Sequence, residues 1–125
     1  MIKMIAFVRR HPSMTRPQFF DYWLNKHSPL VRSVPSFWQY VRGYRQNHSI
    51  QNFEFYASKE SGKNSNFDGA GEMWFDSIED LKKAIMEPEY LSIIRPDELK
   101  CFDDPATVPM ILAVEHIIVD KGAVA

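Results

Sequence analysis

The segment that most constrains this chain is residues 15–31, TRPQFFDYWLNKHSPLV, which sets a histidine on the apolar side of a helix. Thr15 followed three residues later by Gln18 is a capping box, whose hydroxyl and amide satisfy backbone N–H groups left open at a helix start. Pro17 falls in the first turn, where a missing N–H is harmless. At roughly 100° per residue, Phe19, Phe20, Trp23, Leu24, Leu30 and Val31 share one broad arc. His27 lies near the centre of that arc, with Asp21 and Asn25 on the far side. Pro29 disfavours a helical residue before it, so a kink or an end is predicted near Ser28. The pattern therefore aims one imidazole at the interior from a rigid element.

With 125 residues, 45% of them hydrophobic, the chain suits a single packed domain over residues 1–125. A formal charge of −1 argues against a nucleic-acid partner, which requires clustered, uncompensated Lys and Arg. The single cysteine, Cys101, precludes an internal disulfide and fits a reducing compartment. No apolar run approaches the roughly 18 residues of a membrane span, and residues 4–8 followed by Arg9 and Arg10 have the wrong order for a secretory signal. The expectation is a cytoplasmic protein with no membrane partner.

Along the chain, residues 2–9 alternate as a strand with apolar residues on both faces. Residues 37–48 read as a second strand whose row Trp38, Tyr40, Arg42, Tyr44, Gln46 and His48 shares one face. Residues 49–66 form a long polar connection, a candidate lid, and residues 67–75 end as a strand in which Gly69 and Gly71 suggest a close approach. Ser77 and Asp80 open a second helix over 77–85, and Pro88 starts another helical stretch that Pro96 interrupts. Residues 110–119, MILAVEHIIV, form the strongest strand pattern, again apolar on both faces.

The order strand, helix, strand, strand, helix, strand is the ferredoxin-like α+β arrangement, βαββαβ with an antiparallel sheet and both helices on one face. Strands apolar on both faces require a cover that the chain does not supply from further helices. A second copy packed sheet on sheet meets that need, so a homodimeric α+β barrel is expected.

These residues resemble the EthD family of dimeric α+β-barrel proteins. The resemblance rests on the MIKMIAFVRR opening, FFDYWLNKHSPLV with its core of Trp23, His27, Pro29 and Leu30, the strand ending in QNH, FDGAGEMWFDSIEDL and DELKCFDD. It implies a ferredoxin-like homodimer with no built-in cofactor. The family takes its name from a bacterial ether-degradation operon; relatives in polyketide pathways are treated as dehydratases, and muconolactone isomerases share the architecture. It implies a role for His27 first, then for His48 and Asp97.

Imidazole is the side chain best suited to pass protons near neutral pH, so His27, with His48 as partner, is read as an acid/base pair. Tyr22 or Tyr40 would hold a carbonyl, and Asp97 or Asp103 would orient an imidazole. Phe19, Trp23, Trp38 and Trp74 would wall a pocket for a flat apolar ligand. Glu72 and Glu115, in apolar strands, are expected to pair with Arg42 or Arg45 or to lie at an exposed edge, the alternative being a carboxylate of raised pKa. His116 is read as a core or interface residue. No histidine or cysteine spacing marks a metal site, and no glycine-rich phosphate loop is present. The resulting expectation is a cofactor-free lyase or isomerase moving a proton on an aromatic or cyclic ketone, with loss of water as one variant. The other readings are a non-catalytic small-molecule-binding dimer and a cofactor-free monooxygenase.

Overall fold

A computed structural model describes residues 1–50 and 67–122. Strands β1 (Ile2–Val8), β2 (Val41–His48), β3 (Gly69–Phe75) and β4 (Met110–Ala113) form one sheet in the order β2-β3-β1-β4. Every pairing is antiparallel. With helices between β1 and β2 and between β3 and β4, this is the ferredoxin-like α+β order expected from the sequence. No helix among the described residues is long and apolar enough to cross a membrane.

The first helical segment begins as its capping box dictates. Thr15 Oγ1 accepts from the Gln18 amide, Gln18 Oε1 accepts from the Thr15 amide, and α1 runs Arg16–Tyr22. The chain then widens into one π-helical turn, Trp23–His27, before resuming as α2, Ser28–Arg32. The Ser28 amide bonds to the Trp23 carbonyl, five residues back. Pro29 explains the widening: its ring would crowd the carbonyl four residues earlier, and a π turn relieves that clash without ending the helix.

The same device recurs in the second half. A π turn at Tyr90–Ile94 precedes α5, Arg95–Cys101, and the Arg95 amide bonds to the Tyr90 carbonyl. Pro96 is thus the second residue of a continuing helix and not the interruption read from the sequence. Between β3 and this turn lies α4, Ile78–Met86, capped by Ser77 as expected. Leu81 and Ala84 of α4 bury against Val31, Val34, Phe37 and Phe75, so the helices seat on one sheet face. Full burial of each such Phe or Val stabilises the fold by about 1.5–3 kcal/mol.

Two strand boundaries differ from the sequence reading. Residues 35–38 form α3, Pro35–Trp38, because Pro35 presets a helical φ and the Trp38 amide reaches the Val34 carbonyl at 3.0 Å. β2 therefore starts at Val41, with a register irregularity between Val41 and Gly43. Trp38 and Tyr40 leave the predicted row, while Tyr44, Gln46 and His48 keep it, opposite Met73, Gly71 and Gly69.

The last strand stops at Ala113 and not at residue 119. Its pairing with β1 runs only from Met110, opposite Ala6, to Ala113, opposite Lys3. Val114, Ile117, Ile118 and Val119 are left exposed, as is His116. Glu72 and Glu115 find a different partner from the arginines expected, and Glu115 is exposed as the other reading had it. Lys3 Nζ lies 2.7 Å from both carboxylates on the outer sheet face. Lys3, assisted by Asn47, holds the Glu72 carboxyl below its ordinary value against the opposing effect of burial, which excludes a raised-pKa base there. Of the proposed lid, residues 51–66 lie outside the described residues.

Candidate active site

His27 closes the first π turn, and Asp97 follows Pro96 in the first turn of α5. The two side chains meet in the interior, His27 4% and Asp97 8% exposed. His27 Nδ1 lies 2.7 Å from Asp97 Oδ2, and the Tyr22 hydroxyl donates to Asp97 Oδ1. A carboxylate is acceptor-only, so His27 donates through Nδ1–H and the neutral ring leaves Nε2 as its basic nitrogen. Nε2 has no hydrogen-bond partner among the described residues. Phe102 holds the ring from its edge, centroids 5.6 Å apart.

His27 lines a cavity of about 420 Å³ between the helices and the inner sheet face. Such a volume suits a small ligand. Its wall is mostly apolar, including Met4, Trp23, Met73, Phe75 and Ile94, with His27, Tyr44, Tyr90, Arg95 and Glu98 as the polar interruptions. The Tyr22 phenol, largely through burial and then through Asp97, is pushed up to about 12 and stays a donor to that carboxylate.

The remaining expected residues are spread around this centre. Phe19 is fully buried behind the cavity wall, stacked on Trp23 with centroids 5.3 Å apart. His48 is not brought to His27. It stacks on Phe20 and Trp23 at centroid distances of 4.7 and 5.0 Å and lies 2.9 Å, through Nε2, from Gln46 Oε1. Burial lowers its pKa, and it opens on a second, more open cavity with Leu24 and Ser28.

Tyr40 donates to Glu87 at 3.3 Å, away from the cavity wall. Trp38 packs against the core beneath the Arg32 guanidinium, and Trp74 lies on the outer face near Lys3 and Arg45. Asp103 is exposed, leaving Asp97 as the imidazole's orienting carboxylate.

Four polar cavity residues, Tyr44, Tyr90, Arg95 and Glu98, were not singled out from the sequence. Tyr90 donates to Glu98 Oε1 at 2.6 Å, with Arg95 3.4 Å from the other oxygen. Tyr44 is legible from the sequence only as one member of the alternating row. Cys101, fully buried, is raised to about 12 by burial and then by Asp97 and Glu98, so it is no nucleophile. Among the described residues no group of three or more His, Cys, Asp or Glu side chains is placed to hold a metal ion.

A ferredoxin-like sheet backing a histidine–carboxylate pocket places the chain in the small α+β proteins of this architecture. The EthD domain matches residues 11–105, and the chain belongs to the EthD family. Among solved structures, an EthD family protein from Bacillus halodurans has 22% identity and a TM-score of 0.64, over 93% of this chain and 99% of that one. A dimeric protein of ferredoxin-like fold and unknown function from Bacteroides fragilis has 12% identity and a TM-score of 0.57, over 90% and 93%. Hydroxynitrile lyase from Passiflora edulis has 12% identity and a TM-score of 0.59, over 95% and 96%. Among curated proteins none matches the chain.

Proposed function

We propose that the chain is a small lyase or isomerase that moves a proton on an aromatic or cyclic ketone, with His27 as the base. The observation that carries this reading is the buried His27–Asp97 pair, 2.7 Å apart, on the wall of a cavity of about 420 Å³. Nε2 takes a proton from the carbon beside the carbonyl. That C–H electron pair becomes the C=C bond of an enolate, and the carbonyl π pair moves onto oxygen. Asp97 stabilises the resulting imidazolium, as an oriented carboxylate does in other histidine-based sites. Return of the proton to another carbon gives isomerisation; its transfer from the imidazolium to a β-hydroxyl, which leaves as water while the enolate pair forms the new C=C bond, gives dehydration. A lyase in the same fold supports the reading by analogy alone.

The tyrosines expected to hold the carbonyl have other partners: Tyr22 donates to Asp97 and Tyr40 to Glu87. A carrier role is favoured by the mostly apolar cavity wall, and it separates from catalysis by a single experiment. Cyclic ketones in D2O, followed by NMR, should exchange their α-protons with the wild type and about 10²-fold more slowly or worse with His27→Ala. No exchange by the wild type, or equal exchange by the variant, overturns the catalytic reading.

The homodimer belongs to the same proposal. On the outer face Phe7 and Ile111 are 36% and 51% exposed, and residues 114–119 carry further exposed Val and Ile with no strand partner among the described residues. A second sheet laid on this face would cover them, and the Bacteroides fragilis neighbour is dimeric.

A further inference from the structure

Tyr44 of β2 lines the cavity that His27 lines, and it also borders the second cavity beside Gln46 and His48. Its oxygen accepts from Gln46 Nε2 at 2.9 Å. That same amide nitrogen donates to the Trp23 carbonyl at 2.9 Å, while Gln46 Oε1 lies 2.9 Å from His48 Nε2. Two acceptors on one side fix which end of the amide is nitrogen, since a flipped amide would set oxygen against the Trp23 carbonyl. Gln46 is thereby locked at three points, and it aims its N–H at the Tyr44 oxygen. The tyrosine proton itself has no acceptor among the described residues.

We infer that Tyr44 is the hydrogen-bond donor for the ligand's oxygen, and that Gln46 is the positioning residue that turns this O–H toward the cavity. The inference rests on the reading of His27 as base and names the chemistry of its ligand: an acceptor oxygen, carbonyl or enolate, beside an apolar ring. Burial is the main reason the phenol is pushed up to about 12, opposed by the hydrogen bond from Gln46 and aided by Cys101 and Glu98. It therefore keeps its proton throughout the neutral range and donates it without losing it. In the step proposed above, the α-proton goes to His27 and the new charge on oxygen meets the Tyr44 O–H. Donors preset for developing charge lower the barrier most where water is excluded.

The experiment uses 1-tetralone labelled with ¹³C at its carbonyl and reads the infrared band of the bound ketone. Bound to the wild type, the band should lie below its position in dry apolar solvent. In Tyr44→Phe, which keeps the ring, it should return toward the apolar-solvent position and binding should weaken about tenfold. His27→Ala should keep the lowered band. An unshifted band in the wild type, an unchanged band in Tyr44→Phe, or no binding of the ketone to the wild type overturns the assignment. Gln46→Leu should broaden and partly raise the band; a wild-type band there overturns the positioning role. If α-proton exchange survives in His27→Ala while the band still depends on Tyr44, the base assignment falls and the donor assignment stands.

Discussion

Nδ1 of His27 lies 2.7 Å from Oδ2 of Asp97 across 70 residues of sequence, and each side chain is delivered by the same local device. One ends a π turn immediately before a Ser-Pro helix start, and the other follows a π turn through Arg-Pro. The wider turn rotates the residues beyond it relative to an unbroken α-helix. Both members of the pair thus take their direction from a proline that the helix absorbs without ending.

Asp97→Asn keeps the shape of the pocket and removes the charge that stabilises the imidazolium. Turnover of any ketone substrate should fall by roughly 10²–10⁴-fold with little change in ligand affinity. Steady-state kinetics beside a binding titration separate the two effects, and an unchanged kcat would remove Asp97 from the mechanism.

The close approach suggested by the two strand glycines is real, and it is unequal. A Cβ on Gly69 would lie 2.2 Å from the Asn47 carbonyl oxygen and 2.9 Å from Trp23, whereas one on Gly71 would sit 3.6 Å from Trp23. Gly69→Ala should destabilise the fold by about 2–4 kcal/mol, and Gly71→Ala by less than about 1 kcal/mol. Urea unfolding of the two variants checks the contrast.

Acid stability should depend on Asp68. This buried carboxylate accepts from the Arg10 amide at 2.8 Å, from Arg10 Nη1 at 2.7 Å and from Arg16 Nε at 2.9 Å. Burial alone would raise its pKa, but these partners together hold it below the ordinary 3.8. The unfolded chain therefore binds this proton first. Its contribution is present above about pH 4 and is lost as pH falls through the depressed folded value. Asp68→Asn should lower Tm at pH 7 and flatten the acid limb of a Tm-against-pH curve; parallel curves for variant and wild type would contradict this.

Cys101 is fully buried, and its thiol is raised to about 12. A disulfide exchange reagent at pH 8 should leave it unmodified in the native protein and react within minutes once denaturant is added. Fast native labelling would show that the interior beside Asp97 opens readily.

The proposed dimer predicts a sensitive position. Ile111 faces outward opposite Ile5, and a charge there would be buried without a partner if two sheets pack together. Sedimentation should give twice the chain mass for the wild type and the monomer mass for Ile111→Glu. A monomeric wild type would leave the exposed face to some other cover.

Local and repetitive signals were legible without coordinates. The Thr15–Gln18 capping box, the Ser77 cap, the inward His27 and the βαββαβ order all follow from hydrogen-bonding capacity and side-chain period, which neighbouring residues set. Signals that depend on distant chain were not. Lys3, not an arginine, neutralises Glu72 and Glu115, because β1 lies between β3 and β4 in the sheet. The 110–119 pattern outlasts its strand, which pairs with β1 only over Met110–Ala113.

Sequence alone thus determined the element order, the apolar faces and the histidine aimed inward, since each is written in the spacing of a few adjacent residues. Tertiary structure decided which groups meet that histidine. Asp97 reached it while His48 turned aside to stack on Trp23, and Tyr44 replaced Tyr40 on the cavity wall once α3 drew Tyr40 out of the sheet. Those outcomes depend on strand register and helix phase, quantities fixed only when remote segments pack and their backbone hydrogen bonds close.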